Sequence, residues 1–220
     1  MSKVVVFGIG GLSKEISGYI STDGEHEIVA YTAEAEYIKG EEFLSKPVVP
    51  FESVEEVYSP DEHLFIVLVT RQHRTNRRLL GRIMENARQK GYRFLSHVDK
   101  TAYVSQVEIG ANCIVCPHAI IETGTTLGDG VIIRSGAYIG HDIVIGDYSY
   151  VAPRASMSGY VSIGCNVFIG NNATLRDSIT VGHDAVVGAG AVVLRDVKPY
   201  AVYKAMEARL LDKASTEIEI

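Results

Sequence analysis

Counting in sixes from Ile109 meets a long aliphatic residue at every step: Ile109, Val115, Ile121, Leu127, Ile133, Ile139, Ile145, Val151, Met157, Ile163, Ile169, Leu175, Val181, Val187 and Val193. Two residues before each stands a mostly small or β-branched residue, among them Cys113, Ala119, Thr125, Ala137, Ser149, Ala155, Ala173, Ala185 and Ala191. One residue after, glycine recurs at 110, 128, 140, 146, 164, 170, 182 and 188. A period of six matches neither the 3.6 of an α-helix nor the 2 of a flat sheet, so it demands a repeat architecture. Three hexads make one triangular coil. The aliphatic points into the prism, the small residue fits near a corner and glycine eases the turn. Fifteen such hexads make five coils, and at an inter-strand spacing of ~4.8 Å these build a parallel β-helical prism on the order of 24 Å tall. Each buried aliphatic contributes roughly 1.5–3 kcal/mol before chain entropy is subtracted.

The first hundred residues read differently. "KVVVFGIGGLSKEISGYI" is strand, glycine turn and helix, with a buried-strand run from Val4 to Phe7 and an amphipathic segment carrying Ile16 and Ile20. Further strands are predicted at Glu27 to Thr32 and Leu64 to Thr70, and helices at Ser53 to Val57 and Thr75 to Lys90. Alternating strands and helices predict a small Rossmann-like α/β domain with a parallel sheet. Gly8, Gly10 and Gly11 would place backbone N–H groups at a helix N-terminus, where a phosphate can sit. The alternative is a tight βα turn alone, because Ser13 stands where a full GxGxxG has its third glycine. "FLSHVDKTAYVS" leads directly into the hexads. The division expected is residues 1–100 for the α/β domain and 101–220 for the β-helix with a short C-terminal tail.

Composition narrows the function classes. A hydrophobic fraction of 46% with 22% charged residues is that of a globular chain. A net charge of -6 without a basic stripe argues against nucleic acid as a partner. The apolar run at the N-terminus breaks at Gly8, which fits neither a signal peptide nor a membrane span. Three cysteines suggest a reducing compartment, and the chain is read as cytoplasmic. Cys113 and Cys116 form a CxxC without a second pair, which reads as two buried small residues rather than a zinc site.

Polar pairs interrupt the repeat twice. His141 and Asp142 follow Gly140, and His183 and Asp184 follow Gly182 in the same local setting. The pairs are seven hexads apart, so they face different sides of a three-sided prism. Imidazole titrates near neutrality, and a neighbouring carboxylate fixes its tautomer and raises its basicity, the requirements of a general base. The alternative is two polar residues on a solvated turn.

The opening "VVVFGIGGLSKEI", the hexads and "GAYIGHDIVIGDYSYVAPRASMSGYVSIG" together resemble the sugar O- and N-acyltransferases grouped with the sialic acid O-acetyltransferases and the bacillosamine-pathway acetyltransferases. The resemblance implies a left-handed β-helix that trimerises, with acetyl-CoA in a groove between subunits and a nucleotide-linked amino sugar on the N-terminal domain. It implies that His141 is the catalytic base and Asp142 its partner. It places Tyr150, the backbone at Gly159, Asn171 and Ala189 along the CoA groove, and Gly8, Gly10, Gly11 and Lys14 at the sugar nucleotide. No metal is expected. The activity implied is acetyl transfer to a 4-amino-4,6-dideoxy-hexose in surface polysaccharide biosynthesis, or O-acetylation of the sialic acid type.

Three rival readings are discriminated by simple features. A zinc lyase resembling the γ-type carbonic anhydrases needs three converging histidines, and His118, His141 and His183 are irregularly spaced. A non-catalytic trimeric scaffold would not bind acetyl-CoA. A nucleotidyltransferase with a β-helical tail needs a larger first domain and a lysine-rich motif after Gly11. Cys165 lies four hexads from His141, which disfavours it as a nucleophile.

Overall fold

The computed structural model describes residues 1–69 and 78–207. The start of the helix expected from Thr75, the strand end expected at Thr70 and the tail beyond residue 207 lie outside the described residues.

Val4 and Val6 point to one side of β1 (Ser2–Phe7), and Val5 and Phe7 to the other, the period of two that a pleated strand imposes. β1 pairs in parallel with β2 (His26–Ala33) and with β5 (His63–Val67). β4 (Lys46–Pro50) and β6 (Arg93–Phe94) extend the parallel sheet, and β3 (Glu42–Phe43) joins antiparallel at one edge. One side of this sheet is covered by α2 (Val54–Val57) and α3 (Leu79–Gln89), which bury Val54, Ile83, Met84 and Ala87 against Val5, Phe7 and Phe65. The other side carries α1 (Gly11–Asp23), whose Leu12, Ile16 and Ile20 recur at helical spacing. α1 is thereby sandwiched: the same cluster includes Ile114, Cys116 and Ile132 from the coil.

From β7 (His97–Val98) onward the strands are two residues long, and each pairs in parallel with the strand one coil away. The prism has a first face of seven strands beginning at β7, a second of six beginning at β8 (Tyr103–Val104) and a third of five beginning at β9 (Glu108–Ile109). The repeat aliphatics from Val115 to Val193 are buried inside, together with the small residues two positions earlier. This is the parallel β-helix joined to an α/β domain that the hexads and the strand–helix alternation predicted, left-handed as the family resemblance implied.

In the α/β domain β5 ends at Val67, short of the strand expected to Thr70, and the sequence does not predict the strands β3, β4 and β6. In the coil, two details differ from the sequence reading. The coil starts earlier and ends later than fifteen hexads, because Val98 and Val104 also step by six and only a five-residue interval before Ile109 hides them. Strand pairing of β24 (Val202–Tyr203) with Val186–Val187 extends the far end. The second difference concerns glycine. The corner residue with positive φ lies three positions after the aliphatic and is usually not glycine: Asp142 (φ 54), Tyr148 (φ 60), Arg154 (φ 59) and Tyr160 (φ 61). The repeat glycines sit instead where successive coils touch. A Cβ on Gly170 would lie 2.5 Å from the Ala189 nitrogen, and one on Gly146 2.7 Å from that of Cys165. Close approach of backbones, not a left-handed turn, requires them.

Candidate functional site

β14 (Tyr138–Ile139) belongs to the second face and β15 (Val144–Ile145) to the third, and the corner between them holds His141 and Asp142. The Asp142 amide donates to the Thr123 carbonyl of the coil before it at 2.9 Å, which anchors the corner. Gly124, on that same coil, is left-handed (φ 75), and its missing side chain leaves room for the Asp142 carboxylate. His141 Nδ1 lies 2.9 Å from Asp142 Oδ2. An ionised carboxylate only accepts, so Nδ1 carries the hydrogen and Nε2 keeps its lone pair. The Tyr160 ring meets the imidazole edge-on at 4.9 Å, and the missing side chain of Gly159 lets the ring lie directly against the backbone. The His141 side chain as a whole is 44% accessible. A nitrogen base held in one tautomer on a partly accessible side chain can take a proton from an amine or hydroxyl brought to it.

His183 and Asp184 repeat this unit. Nδ1 lies 3.2 Å from Asp184 Oδ2, and Tyr200 meets the ring edge-on at 4.8 Å. As the hexad count required, this copy sits at a different edge, between the third and first faces. Two features separate them. The Asp184 side chain is only 9% accessible against 50% for Asp142, and Pro199 follows the coil there in place of an open glycine.

The other residues singled out from sequence fall elsewhere on the prism. Tyr150 is on the first face, half-buried, stacked on Phe168 at 5.4 Å and packed toward the α/β domain. Burial raises its hydroxyl pKa, opposed by the Arg134 guanidinium. Asn171 and Ala189 are exposed on successive coils at the edge between the first and second faces. Within one chain the fold unites His141, Asp142 and Gly159 and leaves Tyr150, Asn171 and Ala189 at two other positions.

At the α/β end, Gly8 is left-handed (φ 120), and a Cβ there would lie 2.5 Å from the Leu68 carbonyl oxygen and 2.7 Å from Ser13 Oγ. Ser13 is buried and donates its hydroxyl to Leu68 O, so it supplies the close packing that a third glycine would otherwise permit. Gly10 and Gly11 face open space, and α1 begins with no side-chain cap. The first-turn amides are thus available to an anion. Lys14 is exposed one turn along.

Comparison with known proteins agrees with this architecture. The model of the bacterial transferase hexapeptide (six repeats) matches residues 124–159 and 160–195, and that of the hexapeptide repeat of succinyl-transferase matches residues 106–141. Residues 106–195 thus carry hexapeptide repeats of the kind found in bacterial transferases. A curated relative, GDP-perosamine N-acetyltransferase of Escherichia coli O157:H7, is 35% identical over 75 residues; the match spans 34% of this chain and 34% of that protein. Among solved structures, PerB from Caulobacter crescentus in complex with CoA and GDP-perosamine is similar with a TM-score of 0.81 and 27% identity, covering 92% of this chain and 93% of the other. The acetyltransferase domain of PglB from Neisseria gonorrhoeae FA1090 in complex with acetyl coenzyme A is similar with a TM-score of 0.79 and 28% identity, covering 89% and 92%. Among the described residues, no helix is long and apolar enough to cross a membrane.

Several residues that join the two halves of the chain carry no signal in the sequence. Asn112, fully buried at a left-handed corner (φ 59), accepts from the Val67 amide at 2.7 Å and donates to the Val67 carbonyl at 3.1 Å, completing the end of β5. Arg134 reaches both carboxylate oxygens of Glu15 on α1, at 2.6 and 2.8 Å. Arg88 of α3 pairs with Asp129. Asparagine at a corner is legible as a left-handed residue, but its partner is not. The two cysteines of the CxxC point apart, Cys113 into the coil interior and Cys116 toward the α/β domain, so they do not converge on one site.

Proposed function

We propose that the chain is an acetyl-CoA-dependent N-acetyltransferase acting on a nucleotide-linked amino sugar of the 4-amino-4,6-dideoxy-hexose type, within cytoplasmic biosynthesis of a surface polysaccharide. The observation that carries this reading is the likeness over nine-tenths of the chain, both halves included, to an acetyltransferase whose structure holds CoA and GDP-perosamine. In that reading residues 1–100 bind the sugar nucleotide and residues 101–220 bring the thioester to it. Gly10 and Gly11 present α1 amides to the diphosphate, with Lys14 nearby. Gly8 shapes the turn.

His141 Nε2 takes the proton from the sugar amine as its nitrogen attacks the acetyl carbonyl carbon. Asp142 stabilises the imidazolium that forms. The N–C bond forms, the C–S bond breaks, and the proton passes from His141 to the departing CoA thiolate. A backbone N–H beside the ring, at Gly159, stabilises the oxyanion. Holding both substrates on one edge supplies the remaining rate enhancement, and no covalent enzyme intermediate is required.

Tyr150, Asn171 and Ala189 contribute to the CoA groove in this reading. Since Asn171 and Ala189 occupy a different edge from His141, the groove is completed by a neighbouring copy in a homotrimer. Light scattering on the purified chain tests that assembly. The three cysteines, all free thiols, support the cytoplasmic assignment.

The deciding experiment mixes the purified chain with acetyl-CoA and a panel of GDP-, UDP- and dTDP-linked amino sugars while following thiol release. Turnover on one amine, reduced at least about a hundredfold by His141→Asn, is the expected result. Acetyl-CoA binding with turnover only on hydroxyl acceptors would convert the reading to O-acetylation. Neither binding nor turnover would overturn it.

A further inference from the structure

The last residue of α1, Asp23, meets the first rung of the coil at β7. There the Asp23 carboxylate, His97 and the Asp99 carboxylate converge, with one ligand atom of each lying within 4.8 Å of the others. His97 is 5% exposed and Asp99 7%, and the Asp23 side chain is 13% accessible. His97 Nε2 is buried with no hydrogen-bond partner among the described residues, and it points at Asp23 Oδ2 from 3.6 Å. That separation is too long for a hydrogen bond. Ligand atoms around a tetrahedral zinc, each about 2.0–2.2 Å from the ion, stand roughly 3.3 Å apart, a spacing that His97 and Asp23 already approach.

The surrounding charges favour a cation. Asp99 Oδ1 accepts from the Thr101 amide at 2.9 Å and from the Thr101 hydroxyl at 2.6 Å, which orients the carboxylate. Lys100 does not neutralise the pair: its ammonium donates to the Asp23 backbone carbonyl at 2.6 Å and lies 3.5 Å from Glu25. Two largely buried carboxylates and an unpartnered imidazole nitrogen therefore face one another. Buried groups of this kind are ordinarily paired or ligate a metal.

We infer that Asp23, His97 and Asp99 form a binding site for a divalent transition metal of the zinc type, with water completing the coordination. One imidazole nitrogen with two carboxylate oxygens suits zinc better than magnesium or calcium, which prefer all-oxygen shells. The site is structural in character. It ties the C-terminal end of α1 to the coil, while the other end of the same helix holds the glycine turn. It is independent of the acyl-transfer reading, and it departs from the sequence expectation of no metal because ligands this far apart in the chain leave no spacing motif.

The test uses tag-free full chain, stripped with chelator and titrated with zinc sulfate by calorimetry, with metal content measured after gel filtration. One zinc per chain is expected, with a rise in Tm that chelator reverses. Asp23→Asn, on a partly accessible side chain, keeps the metal-free Tm and weakens zinc binding at least tenfold; His97→Gln, where it folds, does the same. Cobalt in place of zinc should give d–d absorption bands that Asp23→Asn removes. Failure of the wild-type chain to retain zinc, or equal retention by Asp23→Asn, would overturn the assignment.

Discussion

His141 lies so close over Gly159 that a methyl group on that glycine would stand 2.6 Å from the ring's Nε2 and Cε1. Gly159→Ala should therefore push the imidazole aside without disturbing the coil, since the exposed ring is free to move. We expect kcat for acetyl transfer to fall by about 10- to 100-fold with Tm nearly unchanged, as expected for a displaced catalytic group. Full kcat in this variant would overturn the proposed role of His141 as base. His183→Asn serves as the matched control and should retain wild-type turnover.

Gly170 and Asn172 allow the two kinds of special backbone position in the repeat to be told apart. A side chain on Gly170 would strike the next coil at Ala189, whereas Asn172 holds an exposed left-handed corner (φ 55) that glycine adopts freely. Gly170→Ala should cost roughly 1–3 kcal/mol by overpacking. Asn172→Gly should change stability by less than about 0.5 kcal/mol. Urea titration of both variants checks the contrast, and equal effects would contradict the close-approach account.

The three thiols should separate cleanly by reactivity. Burial pushes the Cys113 thiol up to about 11 and the Cys116 thiol up to about 12, whereas Cys165 is exposed. With an aromatic disulfide reagent at pH 8, one thiol per chain should react within minutes and the other two at least about a hundredfold more slowly until the chain is unfolded. Mass mapping should assign the fast thiol to Cys165.

Glu15 and Arg134 join α1 to the coil, and the Arg134 side chain is only 12% accessible. Removing the carboxylate leaves a largely buried guanidinium without its partner. Glu15→Gln should lower unfolding free energy by roughly 1–3 kcal/mol, between the values for exposed and buried pairs. The double replacement Glu15→Leu with Arg134→Met should recover much of that loss, because no charge is then left stranded. Chemical denaturation of the three variants reads this directly.

The sequence disclosed most of the coil because its driving force repeats. Each aliphatic at the sixth position is buried by the same local geometry, so the pattern from Ile109 to Val193 is written once per strand and needs no distant partner. Periodicity failed where it was interrupted, at the short step between Val104 and Ile109 and again after Val193, where Val197 pairs with Val181 only four residues on. It also assigned glycine to the turn, since spacing along the chain does not reveal how closely the next coil will pass.

The His–Asp pairs show the same boundary between local and distant information. Sequence gave both pairs identical settings, and both fold into nearly identical local units. What separates them is the residue arriving from the following coil, Gly159 over one and Pro199 near the other, together with the burial of Asp184. The hexad pattern by itself determined the prism, its three faces and the edges on which His141 and His183 stand, because those follow from short-range repetition. Tertiary structure alone decided that Asn112 completes β5, that Arg134 grips α1, and that Asp23 meets His97 and Asp99. Each of those contacts joins residues far apart in the chain, and hydrogen bonds and ion pairs across such separations obey geometry that only the folded backbone supplies.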